Sequence, residues 1–285
     1  MAAMHELLLL YSHRHFETRI LEIVVTIFLL AQILPLTGLL GDWAMELSQL
    51  SKRQVIVISL RPGELPAQEP HRSVAKQHFA AESFAKMFAS AQALSLNPPA
   101  AVGGYQYIFV NQDLAPKDPE AFTGLLAHEL GHLWIKAQGY PAPRYLAGEA
   151  GCLSVAAGDA LQHILMRSEM DRRGFQWRAG FVSQLEPALH KMEEDAKDQA
   201  AAVPRCQKLA QVSLWLDVAL GITAKDWEQR GRFLELLEHR FPEVAHAGKE
   251  LAAELSPLDL ADKKVHRREL EHVFDVLKQF ALKHP

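Results

Sequence analysis

The chain has little cysteine and no strong excess of charge of either sign. Two cysteines, Cys152 and Cys206, occur among 285 residues, which is too few for a disulfide framework, and they form no closely spaced metal-binding pair. We expect two thiols, because a single disulfide would need an oxidising compartment. The formal net charge of -4 provides no bulk attraction to nucleic acid, so nucleic acid is not an expected partner.

Long uncharged runs made mostly of large apolar residues are also scarce, and the clearest one lies near the amino terminus. Residues 23–41 contain no charged residue over 19 positions, which is close to the roughly 20 needed for a helix to cross a bilayer. Gln32 and Pro35 interrupt the apolar character, and no small-x-small cleavage site follows. The run predicts an anchor or an uncleaved export signal in residues 1–45, with membrane association through residues 20–41. A buried core helix, which would leave the protein cytoplasmic, is the alternative.

The rest of the chain predicts a small sheet followed by many helices. Residues 54–60 and 103–114 are rich in β-branched or aromatic residues and are predicted strands. Apolar residues at helical spacing predict one packed helix over 74–94. Asp118 followed by Pro119 is a strong helix start, and this helix should end at Gly139. Another helix is predicted over 147–173, and the chain reads as helical from there to its end.

The sequence HELGH lies well inside the helix predicted to begin at Asp118. On a helix, His128 and His132 lie about 40° apart on one face and one turn apart, so both imidazoles can reach one ion. Glu129 lies next to that face, where it can hold a water against the metal and take its proton. This H-E-x-x-H pattern is typical of zinc hydrolases, and Gly131 allows another segment to approach the helix closely.

Two histidines leave a zinc ion short of one protein ligand, because a catalytic site has three and keeps one position open. The next predicted helix offers candidates. Asp159 and His163 are four residues apart in GDALQHIL and share a face, while Glu149 lies near the helix start in AGEAG. We expect Asp159 to be the third ligand, with Glu149 and His163 as alternatives. Whichever of Asp159 and His163 does not bind the metal can orient the other.

HELGH followed by a helix that carries an acid resembles the gluzincin-type zinc metallopeptidases, in particular the ImmA/IrrE-like and other small zincin-like families. The resemblance covers about residues 100–175 of this chain, and only HELGH is specific. It implies Zn²⁺ as cofactor, His128 and His132 as ligands, Glu129 as general base, and an edge strand that holds an extended peptide. The chain departs from gluzincins where they usually place a glutamate, since Asp159 stands there with His163 one turn later.

We therefore expect a mostly helical α+β protein. Residues 50–175 would form a zincin-like metallohydrolase domain with a small sheet before the motif helix, and residues 176–285 would form a helical extension. The expected function is a zinc-dependent metallopeptidase acting on a peptide or protein substrate, with His163 or Tyr145 as candidate donors to the oxyanion. The alternative is a non-catalytic zinc-stabilised protein that acts as a partner-binding or sensing module. Nothing in the sequence predicts the oligomeric state.

Overall fold

The structure, a computed structural model, describes residues 33–98, 104–143, 151–195 and 203–284. Within these ranges the protein is α+β and mostly helical, which confirms the expected class. The strands are β1 (Ile33–Leu34), β2 (Gln54–Leu60), β3 (Ala93–Leu96) and β4 (Tyr105–Asn111). The helices are α1 (Gly38–Ser51), α2 (His71–Phe79), α3 (Glu82–Ser90), α4 (Pro119–Ala137), α5 (Gly151–Arg172), α6 (Trp177–Asp195), α7 (Arg205–Gly221), α8 (Arg230–Arg240), α9 (Pro242–Leu255) and α10 (Lys263–Lys283).

The four strands form one mixed sheet in the order β1-β2-β4-β3. β2 and β4 run parallel with Val57 opposite Ile108, while β1 and β3 pair antiparallel on the two sides. Both faces of the central strands are covered, one by α2 and α3 and the other by the large helical core. This explains why QVIVISL has an almost continuous apolar character, because strands buried on both faces need not alternate.

The helix that carries HELGH begins and ends near the positions predicted from its capping residues. The Asp118 side chain accepts a hydrogen bond of 2.7 Å from the backbone N–H of Ala121, and Pro119 is the first helical residue. Gly139 follows the last turn with a φ of +73°, a left-handed conformation that glycine adopts without strain. Local capping chemistry therefore fixes α4 at both ends.

The prediction of one helix over 74–94 is wrong. The segment contains two helices, α2 and α3, which are separated at Ala80 and Ala81, and Leu94 lies in the edge strand β3. Phe79 and Phe88 both pack on Phe109 or its neighbours on one face of the sheet. Two short helices covering the same apolar face produce the same spacing of apolar residues as one long helix, so periodicity alone did not separate them.

Only the last part of the apolar run at residues 23–41 lies within the described ranges, and it is not one continuous helix. Ile33 and Leu34 pair with β2, and α1 begins at Gly38. Residues 23–32 lie outside the described residues, as does most of the segment 1–45. No helix in the described ranges has both the length and the apolar character to cross a bilayer. Membrane association through residues 20–41 stays a prediction.

The helices after residue 175 share one hydrophobic core with the motif helix. α6 packs on α4, α7 and α10 pack on α5, and α9 packs on α7. A disulfide joins Cys152 on α5 to Cys206 on α7, with an S–S distance of 2.08 Å. The expectation of two thiols is therefore wrong, because the fold brings together two cysteines that the sequence places 54 residues apart.

Candidate metal centre

The centre lies where α4 and α5 cross closely. Gly131 makes this crossing possible, since a β-carbon at this position would lie 2.1 Å from Cγ of Met166. Any larger residue would force the helices apart or displace Met166. The crossing brings the face of α4 that carries the motif histidines against the middle of α5.

Three histidines meet at this crossing. His128 and His132 come from α4 and His163 comes from α5, and each offers a ring nitrogen that lies within 4.8 Å of the other two. Nε2 of His128 and Nε2 of His132 are 3.2 Å apart. The ring centroid of His163 lies 4.9 Å from that of His128 and 5.5 Å from that of His132. At this distance the two nitrogens can share one proton, and a metal ion bound between the rings would replace that proton.

Neighbouring side chains fix the orientation of two of these rings. Nδ1 of His132 lies 3.2 Å from Oε1 of Gln162, and Nδ1 of His163 lies 2.9 Å from Oδ2 of Asp217. Each contact uses Nδ1 as the hydrogen-bond donor, so Nε2 of the same ring is left as the acceptor nitrogen. An imidazole held by a carboxylate or an amide oxygen on one nitrogen and facing a cluster with the other is the usual arrangement of a metal-binding histidine.

Asp217 connects His163 to a buried arginine. Nη1 of Arg167 lies 2.8 Å from Oδ1 of Asp217 and donates to its carbonyl oxygen at 3.1 Å. Burial alone would raise the pKa of Asp217, but Arg167 and His163 outweigh that effect and lower it. Burial likewise opposes charge on His163, yet the Asp217 carboxylate raises the pKa of this histidine. Sequence reasoning identified neither Asp217 nor Arg167, because no local pattern marks a partner on a distant helix.

The two motif histidines are held in their neutral forms. Burial, followed by repulsion from His132 and His163, moves the pKa of His128 well below its usual value. Burial is also the main reason that the pKa of His132 falls to about 4. Neutral imidazole is the form that binds a metal, so these two rings are ready to act as ligands without losing a proton near neutral pH.

Glu129 is buried beside the cluster, with 6% of its surface exposed. Burial raises its pKa to about 7, although hydrogen bonding from the side chain and backbone of Ser95 acts in the opposite direction. Ser95 belongs to β3, whose outer edge is unpaired among the described residues and which packs on α4. The motif glutamate, the histidines and an edge strand therefore lie together.

The other predicted site residues are less central. Asp159 lies on α5 one turn before His163, and burial raises the pKa of its carboxyl group. It does not belong to the group of described residues whose ligand atoms all lie within 4.8 Å of one another. Glu149 and Tyr145 lie outside the described residues, so their placement relative to the histidines stays untested.

A cleft of about 400 Å³ opens onto the centre. His128, Glu129 and His163 line one part of it, together with Arg167 and Asp217. Four large apolar residues contribute to the remaining wall, namely Leu125, Met170, Trp177 and Phe181, and three polar residues, Ser90, Gln92 and Gln184, also line it. Reactive side chains at one end of a largely apolar cleft are the usual composition of a small-molecule or peptide site.

Comparisons of the chain with protein-family models, with curated proteins and with solved structures find no match. The resemblance to gluzincins therefore depends on HELGH alone, and membership of a zincin family stays a prediction.

Proposed function

We propose that this protein is a zinc-dependent peptidase in which His128, His132 and His163 hold the metal and Glu129 is the general base. The observation that carries the proposal is the convergence of three histidine nitrogens within 4.8 Å of one another, next to a buried glutamate and a cleft. Catalytic zinc sites usually have three protein ligands and one open coordination position.

The donor set fits zinc. Imidazole nitrogen is one of the ligands that Zn²⁺ prefers, and all three candidate ligands are neutral donors when they bind. Gln162 and Asp217 occupy Nδ1 of His132 and of His163, which leaves the nitrogens that face the cluster available. A zinc ion bound there would act as a Lewis acid that lowers the pKa of water and polarises a carbonyl group.

We favour His163 over Asp159 as the third ligand. His163 belongs to the cluster and has a carboxylate partner behind it, whereas Asp159 lies one turn away along α5. Asp159 would then contribute negative charge near His163 and Asp217 without binding the metal. This agrees with the pKa of Asp159, which His163 acts to lower and Asp217 acts to raise. This assignment reverses the order expected from the sequence.

In the proposed reaction Glu129 would move a proton. Its carboxylate lies beside the histidines and inside the cleft, so a water held there would be within its reach. Glu129 would accept the proton of the attacking water and return it to the nitrogen of the departing amine, which conserves protons over one hydrolysis. Ser95 restrains the carboxylate from the side of β3.

The zincin-like core is part of the same proposal. A mixed sheet precedes the motif helix, the edge strand β3 packs on that helix, and the next helix carries the third candidate ligand. In such an arrangement an extended peptide could add to the free edge of β3 while one of its carbonyl groups lies at the histidines. This edge strand supports the proposal that the substrate is a peptide or protein.

A peptidase assay with a mixed library of quenched fluorescent peptides tests the proposal. Zinc-loaded wild type should cleave some peptides, and Glu129→Gln should keep the zinc while losing about 10²–10⁴-fold in rate. Glu120→Gln is the matched control, because Glu120 lies in the first turn of the same helix away from the cluster. Zinc binding without cleavage of any peptide would favour the alternative of a non-catalytic zinc-stabilised module, and full activity of Glu129→Gln would refute the proposed mechanism.

A further inference from the structure

Arg167 is a buried arginine whose hydrogen-bonding capacity is only partly used. Its side chain is 7% exposed, and Nη1 makes both of its contacts, one to the Asp217 carboxylate and one to the Asp217 carbonyl oxygen. Nε and Nη2 form no hydrogen bond with any of the described residues. Arg167 lines the cleft, so the three N–H donors of Nε and Nη2 are open to a partner from outside the chain.

The surroundings of Arg167 restrict what that partner can be. Its guanidinium carbon lies 5.0 Å from the ring centre of Trp177 and 4.6 Å from that of Phe181, so aromatic rings pack on the guanidinium. Asp217 occupies Nη1, which leaves the edge formed by Nε and Nη2. Two parallel N–H donors at such an edge match the two oxygens of a carboxylate.

We propose that Arg167 binds the free carboxylate at the carboxyl end of a peptide, so that the enzyme removes a terminal residue. This inference rests on the proposed peptidase function. It assigns Arg167 to substrate recognition, whereas Asp217 holds both Arg167 and His163 in place. A side chain that contacts the terminal carboxylate determines specificity for chain ends.

The spacing along α5 supports a terminal residue over an internal one. Arg167 follows His163 by four positions, which corresponds to about 6 Å along a helix axis. One residue of extended peptide spans about 3.3–3.6 Å, and side chains can take up the remainder. A carbonyl group at the histidines and a carboxylate at Arg167 would therefore belong to neighbouring positions of one peptide.

The composition of the cleft wall predicts the character of that last residue. The large side chains that line the same cleft as Arg167 are apolar, namely Leu125, Met170, Trp177 and Phe181, beside the smaller or uncharged polar Ser90, Gln92 and Gln184, and the cleft volume is about 400 Å³. An apolar wall next to a single cation favours a ligand with a large apolar side chain and an adjacent carboxylate. The proposed substrate is thus a peptide that ends in a bulky apolar residue.

A binding experiment tests Arg167 separately from catalysis. N-acetyl-L-phenylalanine and N-acetyl-L-phenylalaninamide have the same apolar group and differ in the carboxylate. Their affinities can be compared by titrating the tryptophan fluorescence, since Trp177 borders the cleft. We expect metal-free wild type to bind the acid at least about tenfold more tightly than the amide, because charge-assisted hydrogen bonds exceed neutral ones by this much.

Variants assign the preference to Arg167. Arg167→Gln should bind acid and amide about equally, and Arg167→Lys, which keeps the charge but loses the paired donors, should retain only part of the preference. Arg173→Gln is the matched control, because Arg173 also packs on a tryptophan and pairs with carboxylates, but away from the cleft. It should keep the full preference.

The outcomes separate this inference from the proposed function. Equal binding of acid and amide by metal-free wild type, or a preference that survives in Arg167→Gln, would overturn the role of Arg167. A preference that exists only in zinc-loaded protein would assign the carboxylate to the metal and also overturn it. A protein that binds no zinc would refute the proposed peptidase, yet the comparison in metal-free protein would still decide whether Arg167 recognises a carboxylate.

Discussion

At the scale of single residues, the centre depends on which nitrogen of His163 faces the motif histidines. The Asp217 carboxylate lies 2.9 Å from Nδ1 of His163, and Arg167 holds Asp217 from the other side. A free imidazole could rotate and expose either nitrogen. The buried carboxylate selects one tautomer and one ring orientation of the neutral imidazole, so the proposed ligand would be preorganised before a metal binds.

Asp217→Asn should weaken zinc binding by about 10–100-fold, because an amide orients His163 less firmly and does not increase its basicity. Competition with a chromophoric chelator measures this affinity. The variant also leaves Arg167 without its counter-charge, so we expect a lower free energy of unfolding, by about 3–5 kcal/mol.

Asp171→Asn is a suitable control for the previous prediction. Asp171 also pairs with an arginine, Arg178, but at the protein surface and away from the histidines. The zinc affinity of the Asp171→Asn variant should equal that of wild type. An unchanged zinc affinity in Asp217→Asn would show that Asp217 does not orient a metal ligand.

The burial of His266 leads us to expect that the free energy of unfolding depends on pH, whether or not a metal is bound. The side chain is fully buried against the ring of Tyr140, and neither of its nitrogens has a close hydrogen-bond partner within the described part of the chain. Burial lowers the pKa of His266 below 6.5, although the Leu260 backbone acts in the opposite direction. As the pH falls below about 6.5, the unfolded chain binds a proton that the folded chain does not, so folding stability declines with the pH.

His266→Leu should remove this contribution. Urea unfolding at pH 7.5 and pH 5.5 measures the loss of free energy of unfolding, to which one such histidine contributes at most about 1.4 kcal/mol per pH unit. We expect the variant to lose less stability on acidification than wild type. Gln279→Leu provides a control, because Gln279 is exposed on the same helix and has no titratable group, so this variant should leave the pH dependence unchanged. An equal pH dependence in wild type and His266→Leu would contradict the prediction.

At the scale of secondary-structure elements, the close crossing of α4 and α5 assembles the centre. Gly131→Ala should lower the free energy of unfolding by about 1–3 kcal/mol, because the added methyl group would overlap Met166. It should also weaken zinc binding, since the two helices carry the three histidines. Urea denaturation and zinc titration measure the two effects.

Gly231→Ala is the matched helical control. Gly231 lies in α8 with open space where a β-carbon would be, so alanine should stabilise the protein slightly through its higher helix propensity. Zinc affinity should not change in this variant. Equal effects of the two substitutions would show that the helix crossing tolerates a larger residue.

The disulfide joins α5 and α7, the helices that carry His163 and Asp217. Replacing both cysteines by serine should lower the free energy of unfolding by about 4 kcal/mol, the entropic effect expected for a closed loop of this length. The disulfide closes a loop between two cysteines that lie 54 residues apart in the sequence. Reductant should lower the free energy of unfolding of wild type by a similar amount and leave the double variant unaffected. If reductant did not change the stability of wild type, the disulfide would not stabilise the fold as expected.

Some elements could be predicted from the sequence because their signals are local. Asp118, Pro119 and Gly139 lie at the two ends of α4, and capping chemistry involves only adjacent residues. The segment 74–94 could not be divided correctly, because the turn between α2 and α3 contains only alanines and no strong helix breaker. Its boundary is set by packing on the sheet, which the sequence does not display.

At the scale of the whole molecule, the centre combines parts that lie far apart along the chain. HELGH predicted two of the clustered histidines and the glutamate, since one helical turn relates them. Asp217 follows His163 by 54 residues and comes from a helix that was expected to belong to a separate extension. Such a partner has no local signature, and the choice between Asp159 and His163 likewise depends on how α5 rotates against α4.

The most direct test of the account is the zinc content per chain, measured by elemental analysis after metal loading and desalting. We predict about one zinc for wild type, Glu129→Gln and Asp159→Asn, and a large loss for His128→Ala and His163→Ala. Asp159→Asn is the matched comparison for His163→Ala, because the two residues lie one turn apart on the same face of α5. A wild type without zinc, or zinc lost from Asp159→Asn and kept by His163→Ala, would contradict the proposed three-histidine centre.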